Sequence, residues 1–128
     1  MINPRILIID DEAGFLDLVK EKLELEDYEV ITALDGEEGI AKAKSIKPDL
    51  VICDIKMPKK DGFEVLEVLR HELHMKMPFI MLTVLEEFEN VKKAYEDEAD
   101  LYITKPVEFT RLMKNIKTLL NISKNRTK

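Results

Sequence analysis

The chain has 128 residues, the usual size of one domain, and its 45% hydrophobic and 36% charged residues argue against a disordered protein. Its 20 Lys and Arg against 26 Asp and Glu give a net charge of −6, so direct binding to nucleic acid is not expected. The longest apolar stretch, residues 79–85 with Thr83 inside it, is far shorter than the ~20 residues of a membrane helix. The first apolar run is too short for a signal peptide, and Cys53 is the single cysteine, so we expect a cytoplasmic protein with no membrane contact.

Strand-like segments rich in Ile, Val and Leu alternate along the chain with segments of helical apolar spacing, which is typical of repeated βα units. The predicted strands cover residues 5–9, 29–33, 49–53, 79–83 and 100–104. Three predicted helices have clear apolar stripes: the first has Phe15, Val19 and Leu23, the third has Phe63, Leu66, Leu69 and Leu73, and the fifth runs from Phe109 to Leu120. The second and fourth predicted helices, over 36–46 and 86–97, have weaker apolar patterns.

Most of these strands are continuously apolar, which predicts burial on both faces of a parallel sheet. Glu29 and Thr32 interrupt the second strand, so we place it at an edge. Right-handed crossovers then favour an α/β fold with a doubly wound, five-stranded parallel sheet in the flavodoxin-like order 2-1-3-4-5 and five helices on its two faces. The domain is expected to span residues 1–121, and the polar tail 122–128 is expected to fray.

Reactive polar groups follow four of the predicted strands. Asp10 and Asp11 follow the first strand, Asp54 the third and Lys105 the fifth, while Thr83 ends the fourth. Because the carboxyl ends of parallel strands share one edge, these groups should surround one crevice.

The charges of this set imply a bound cation. Two unit charges ~4 Å apart repel by about 4 kcal/mol at an effective dielectric of ~20, so three carboxylates need a counterion. Oxygen ligands suit a hard divalent cation, and we predict Mg²⁺ held by Asp10, Asp11 and Asp54. Lys105 and the Thr83 hydroxyl could bind an anion beside it. This set predicts a phosphoryl-binding site with Asp54, alone at the end of the central strand, as the nucleophile.

Over about residues 4–121 the chain resembles the receiver domains of response regulators, of the CheY-like kind. Besides the groups above, the resemblance rests on Met57, Pro58 and Gly62 after Asp54, and on Pro106 after Lys105.

The resemblance implies a set of roles for the site. A sensor histidine kinase or a phosphotransfer protein would phosphorylate Asp54. Asp11, Asp54 and the backbone carbonyl of Lys56 would ligate Mg²⁺ directly, and Asp10 would act mainly through metal-bound water. Thr83 and Lys105 would bind the phosphoryl oxygens.

It also implies a conformational switch. Tyr102 would turn inward when Thr83 is drawn to the phosphate, and the Lys105–Pro106 bond would be cis. The predicted fourth helix, fifth strand and fifth helix would form the output face for a downstream protein, with Val91, Tyr95 and Tyr102 as contacts. Phosphorylation-dependent dimerisation is left open.

Several residues depart from the family pattern. Val84 stands where the family has a small residue, and Glu98 where relatives often carry glycine. Lys56 and Leu85 flank the site, and we hypothesise that their bulk shields the aspartyl phosphate from water.

The same residues also allow other interpretations. Singly, Asp10 or Asp11 could cap a helix, and His71 and His74 suit a helix surface better than a metal site. A phosphohydrolase with an aspartyl nucleophile needs a second Asp two residues on, where Lys56 stands. A flavin-binding relative needs a hydroxyl- and glycine-rich phosphate loop after the first strand, where this chain has its acidic pair. An interaction module with little phosphorylation would not need the acidic residues that this chain carries. We therefore expect a signalling switch that is no enzyme beyond its own phosphorylation and slow dephosphorylation.

Overall fold

A computed structural model of the chain describes residues 3–84 and 99–126. Its strands are β1 (Arg5–Ile9), β2 (Glu29–Ala33), β3 (Leu50–Asp54), β4 (Phe79–Thr83) and β5 (Leu101–Thr104). Its helices are α1 (Ala13–Glu24), α2 (Gly36–Ile46), α3 (Gly62–Glu67), which continues as a π-helical turn (Val68–Glu72), and α4 (Phe109–Arg126). The described residues thus contain four α-helices instead of the five predicted, because the predicted helix over 86–97 lies outside them.

The five strands form one parallel sheet in the order β2-β1-β3-β4-β5, which confirms the predicted topology. Ile9 of β1 lies beside Cys53 of β3, and Asp54 lies beside Leu82 of β4. This register places the ends of β1 and β3 next to each other, which brings the residues that follow β1 close to Asp54.

Alternate strand residues belong to two separate cores because successive side chains point to opposite faces of the sheet. Leu7 and Ile9 pack with residues of α2 and α3 on one face. Ile6 and Ile8 pack with residues of α1 and α4 on the other. Full burial of such a side chain contributes about 1.5–3 kcal/mol, so the helices are held mainly by their apolar faces.

Helices α2 and α3 begin with side-chain caps. The Asp61 carboxylate accepts a hydrogen bond from Glu64 N at 2.9 Å, and Asp61 N donates to Glu64 Oε1 at 3.0 Å. Asp35 accepts from Glu38 N at 2.8 Å in the same manner. These caps satisfy backbone donors that have no partner inside the helix, and they fix where the loops after β2 and β3 end.

The end of α3 is tied to the amino-terminal edge of the sheet by Arg70. Its guanidinium donates to the carbonyls of Met75 and Met77 at 3.1 and 2.8 Å and to Asp100 Oδ2 at 3.0 Å. The same Asp100 oxygen accepts from Phe79 N at 2.8 Å. Arg70 therefore fixes the segment that leads from the π-helical turn into β4.

The C-terminal helix α4 continues to Arg126, and the predicted boundary after residue 121 stays a prediction. Residues 107–128 contain neither glycine nor proline, the usual signals that stop a helix. Within residues 3–84 and 99–126, every helix is too short or too polar to cross a bilayer.

Candidate functional site

The carboxyl edge of the sheet brings together the five groups named from the sequence. Asp10 and Asp11 follow β1, Asp54 ends β3, Thr83 ends β4 and Lys105 follows β5. One carboxylate oxygen from each of the three acidic residues lies within 4.8 Å of the other two. Since the neighbouring strands are parallel and in register, the fold itself creates this cluster.

Asp10 is fully buried, and both of its carboxylate oxygens are engaged by the protein. Oδ1 accepts a hydrogen bond from Glu12 N at 2.9 Å, and Oδ2 accepts one from Lys105 Nζ at 3.1 Å. Asp11, by contrast, is exposed. Of these two neighbours, Asp11 is the one whose carboxylate is open to an incoming ion.

Lys105 lies between two carboxylates. Its ammonium is 3.1 Å from Asp10 Oδ2 and 3.4 Å from Asp54 Oδ2. Burial lowers the pKa of Lys105, but the hydrogen bond to Asp10 and the charge of Asp54 outweigh burial, and the net pKa is raised. The side chain therefore carries a positive charge at neutral pH.

Asp54 is only 8% exposed. Its pKa is raised to about 6, first by burial and then by the negative charge of Asp10, while Lys105 opposes the shift. At neutral pH the carboxylate is ionised, as a nucleophile must be. A cation at the site would stabilise this ionised form further.

The loop after Asp54 is folded tightly against the end of β3. Ile55 N donates to Leu82 O at 3.0 Å, and Gly62 N donates to Ile55 O at 2.7 Å. A Cβ on Gly62 would stand 2.5 Å from Asp54 O and 2.7 Å from Met81 Sδ, so only glycine fits this approach. The close packing holds the loop, which includes Lys56, beside the acidic cluster.

The remaining predicted site residues differ in their surroundings. The buried Thr83 hydroxyl donates to Val84 O at 2.9 Å, and the Lys105–Pro106 bond is cis. Tyr102 is partly buried against the core shared with α2 and α3. Burial raises the pKa of the Cys53 thiol well above its usual value, so this cysteine is a packing residue.

Some residues named from the sequence lie elsewhere. His71 is 3.8 Å from Glu67 on the surface of the π-helical turn, and neither His71 nor His74 belongs to the acidic cluster. Leu85, Val91, Tyr95 and Glu98 fall outside the described residues.

One site contact was missed by the sequence analysis. Phe15, which was assigned to the apolar stripe of the first helix, lies with its ring next to the Lys105 ammonium. The position of Phe15 shortly after the acidic pair is the one feature of the sequence that could have predicted this contact, but the same position also suits a core residue.

The donor set fits a hard divalent cation. Three carboxylates in mutual reach and no soft ligand among them suit Mg²⁺ better than a transition metal. Among the residues the structure describes, this is the acidic group whose ligand atoms lie close enough together for one ion.

The sheet order and the acidic cluster at its carboxyl edge define an α/β domain of the CheY-like class. The sequence model of the response regulator receiver domain matches residues 6–117, and the chain belongs to this family of two-component signalling domains.

Individual relatives agree with this assignment. The chain is 42% identical over 123 residues to the alkaline phosphatase synthesis transcriptional regulatory protein PhoP of Bacillus subtilis, covering 95% of this chain and 50% of PhoP. It is 40% identical over 118 residues to the DNA-binding dual master transcriptional regulator RpaA of Synechocystis, covering 91% and 49%. The chain therefore spans about half the length of these curated relatives.

A solved structure confirms the fold. The CheY-like receiver domain protein from Methanospirillum hungatei superposes with a TM-score of 0.88 at 39% identity, covering 97% of this chain and 98% of that one.

Proposed function

We propose that this protein is a phosphorylation-controlled switch that accepts a phosphoryl group on Asp54 in a Mg²⁺-dependent reaction. One observation carries the proposal: three carboxylates lie within 4.8 Å of one another, with the Lys105 ammonium in contact with two of them. A cluster of this kind combines a nucleophile, a cation site and a fixed positive charge. Its donor is a sensor histidine kinase or a phosphotransfer protein, in keeping with the family.

The carboxylates of Asp11 and Asp54 and the backbone carbonyl of Lys56 would hold the metal. Asp10, with both oxygens engaged by Glu12 N and Lys105, would act through metal-bound water. When bound, Mg²⁺ supplies neutralising charge for the phosphoryl oxygens.

In the transfer step, an Asp54 carboxylate oxygen forms a bond to phosphorus while the P–N bond of the donor's phosphohistidine breaks. The electron pair of that bond returns to the imidazole nitrogen. Lys105 donates a hydrogen bond to a phosphoryl oxygen, and the Thr83 hydroxyl turns away from Val84 O to donate another. Lys56 stands where a phosphohydrolase would carry its general acid, so turnover is limited to slow loss of the protein's own phosphate.

The output is a change of shape rather than a product. Movement of Thr83 draws Tyr102 inward and alters the output face, whose described parts are β5 and the C-terminal helix. That face binds a downstream protein or a second phosphorylated copy. The net charge of −6 disfavours direct contact of this domain with nucleic acid, and we place the protein in the cytoplasm.

Acetyl phosphate tests the proposal. Incubation with and without Mg²⁺, followed by intact-mass measurement, should show one phosphoryl adduct on the wild type only when Mg²⁺ is present. The Asp54→Asn variant should show none. An adduct that forms without metal, or that persists in Asp54→Asn, would contradict the assignment.

A further inference from the structure

An aromatic ring lies next to the Lys105 ammonium. Lys105 Nζ lies 5.0 Å from the centroid of the Phe15 ring, a distance at which a cation is attracted to the face of the ring. The same Nζ lies 3.1 Å from Asp10 and 3.4 Å from Asp54. The ammonium thus contacts one aromatic ring and two carboxylates.

Phe15 is well placed to act as a fixed surface. It lies in the first turn of α1, is partly buried, and packs against the core that α1 shares with α4. A lysine side chain has four rotatable bonds and loses as much as ~2 kcal/mol of rotamer entropy when it is fixed, so an unsupported ammonium would sample many positions.

We infer that Phe15 is a positioning residue for phosphoryl transfer, whose ring holds the Lys105 ammonium toward Asp54. The inference rests on the proposed function of the site. An aliphatic side chain of similar size could fill the space but would offer no attraction to the charge. The role therefore requires the aromatic face and not only the volume of Phe15.

The chain contains a matched control contact. Lys22 Nζ lies 5.1 Å from the centroid of the Phe109 ring, where α1 meets α4. Phe109 packs against the same core as Phe15, but neither Lys22 nor Phe109 belongs to the acidic site. Loss of this second ring removes the same kind of interaction from the same core but away from the acidic site.

The first test is the rate of phosphorylation by acetyl phosphate at saturating Mg²⁺. Phe15→Leu should slow the reaction about three- to tenfold, the range of one partly desolvated cation–π contact. Phe15→Tyr should restore the rate to within about twofold, and Phe109→Leu should leave it unchanged. Equal slowing by Phe15→Leu and Phe15→Tyr would overturn the inference. A small-molecule donor is used so that effects on docking to a kinase do not enter the rate.

The second test asks whether Phe15 acts through Lys105. In a Lys105→Met background, Phe15→Leu should cause no further loss, because the ammonium that the ring holds is gone. If the two losses multiply, Phe15 contributes by packing alone and the inference is wrong.

The third test does not depend on phosphorylation. In the unmodified protein, NMR should show the ε-methylene protons of Lys105 shifted upfield by the ring current of Phe15, and this shift should vanish in Phe15→Leu and persist in Phe15→Tyr. Absence of the shift in the wild type overturns the inference whether or not Asp54 is phosphorylated. If Phe15→Leu does not fold, Phe15→Met takes its place in all three tests. A wild type that shows the shift but accepts no phosphoryl group overturns the proposed function instead.

Discussion

The Asp54 carboxyl group affects both the proposed chemistry of the site and the stability of the fold. Its pKa of about 6, raised by burial and by Asp10, means that the folded protein holds this proton more tightly than the unfolded chain does. The group therefore favours folding below about pH 4. That contribution is lost as pH rises through about 6. At neutral pH the ionised carboxylate, which is the proposed nucleophile, is present at a cost in stability.

Asp54→Asn should therefore raise the free energy of unfolding at pH 7.5 in EDTA by about 1–3 kcal/mol. The gain should shrink as pH falls from about 6 to about 4, because the wild-type carboxyl is then protonated. Urea unfolding at several pH values measures both effects.

The control for this prediction is Asp17→Asn, which removes an exposed carboxyl of α1 outside the acidic cluster. It should change the free energy of unfolding little. A gain from Asp54→Asn that is independent of pH would contradict the assigned cause.

The five polar groups of the site could be predicted from the sequence because each follows or ends an apolar strand, and parallel strands place such residues at one edge. The contact between Phe15 and Lys105 could not. Its two partners lie 90 residues apart on different elements, and the direction of each side chain depends on packing that the spacing does not encode.

At the scale of single elements, α3 begins at the capping box of Asp61 and Glu64, directly beside the close approach of Gly62 to Asp54. The start of this helix and the position of the loop that carries Lys56 are thus set by the same few residues.

Asp61→Ala should lower the free energy of unfolding by about 0.5–2 kcal/mol, because Glu64 N loses its side-chain partner. Asp61→Asn keeps a capping oxygen and should cost much less. Thermal or urea unfolding of both variants measures the difference. If the two variants are equally destabilised, the cap is not the cause.

The predicted strands agree with the structure to within about one residue because parallel strands buried on both faces leave long apolar runs. The π-helical turn at the end of α3 was not predicted. The segment that follows this turn is held by hydrogen bonds from Arg70 to the carbonyls of Met75 and Met77 and to Asp100. The contact with Asp100 joins distant parts of the sequence, so local sequence patterns do not predict it. Helix α4 extends to Arg126 through a polar sequence that contains neither glycine nor proline, and the domain boundary after residue 121 stays a prediction.

For the whole molecule, metal binding and folding should be linked. The carboxylates that meet at the site come from β1 and β3 and are brought together only in the folded chain, so an ion that binds them stabilises that state. Mg²⁺ at ten times its dissociation constant should raise the free energy of unfolding by about 1.4 kcal/mol.

Asp11→Asn should abolish most of that gain without disturbing the core, because Asp11 is exposed. Thermal unfolding in MgCl₂ compared with NaCl of equal ionic strength measures the specific effect. An equal rise in both salts would show screening of the acidic surface rather than a bound ion.

Among the residues that the structure describes, the two cores on opposite faces of the sheet share no member, and this separation has an evolutionary consequence. Substitutions in the core under α1 and α4 do not require compensating substitutions in the core under α2 and α3. Substitutions that create a new binding surface on one side of the sheet can therefore accumulate while the opposite side and the acidic cluster are retained.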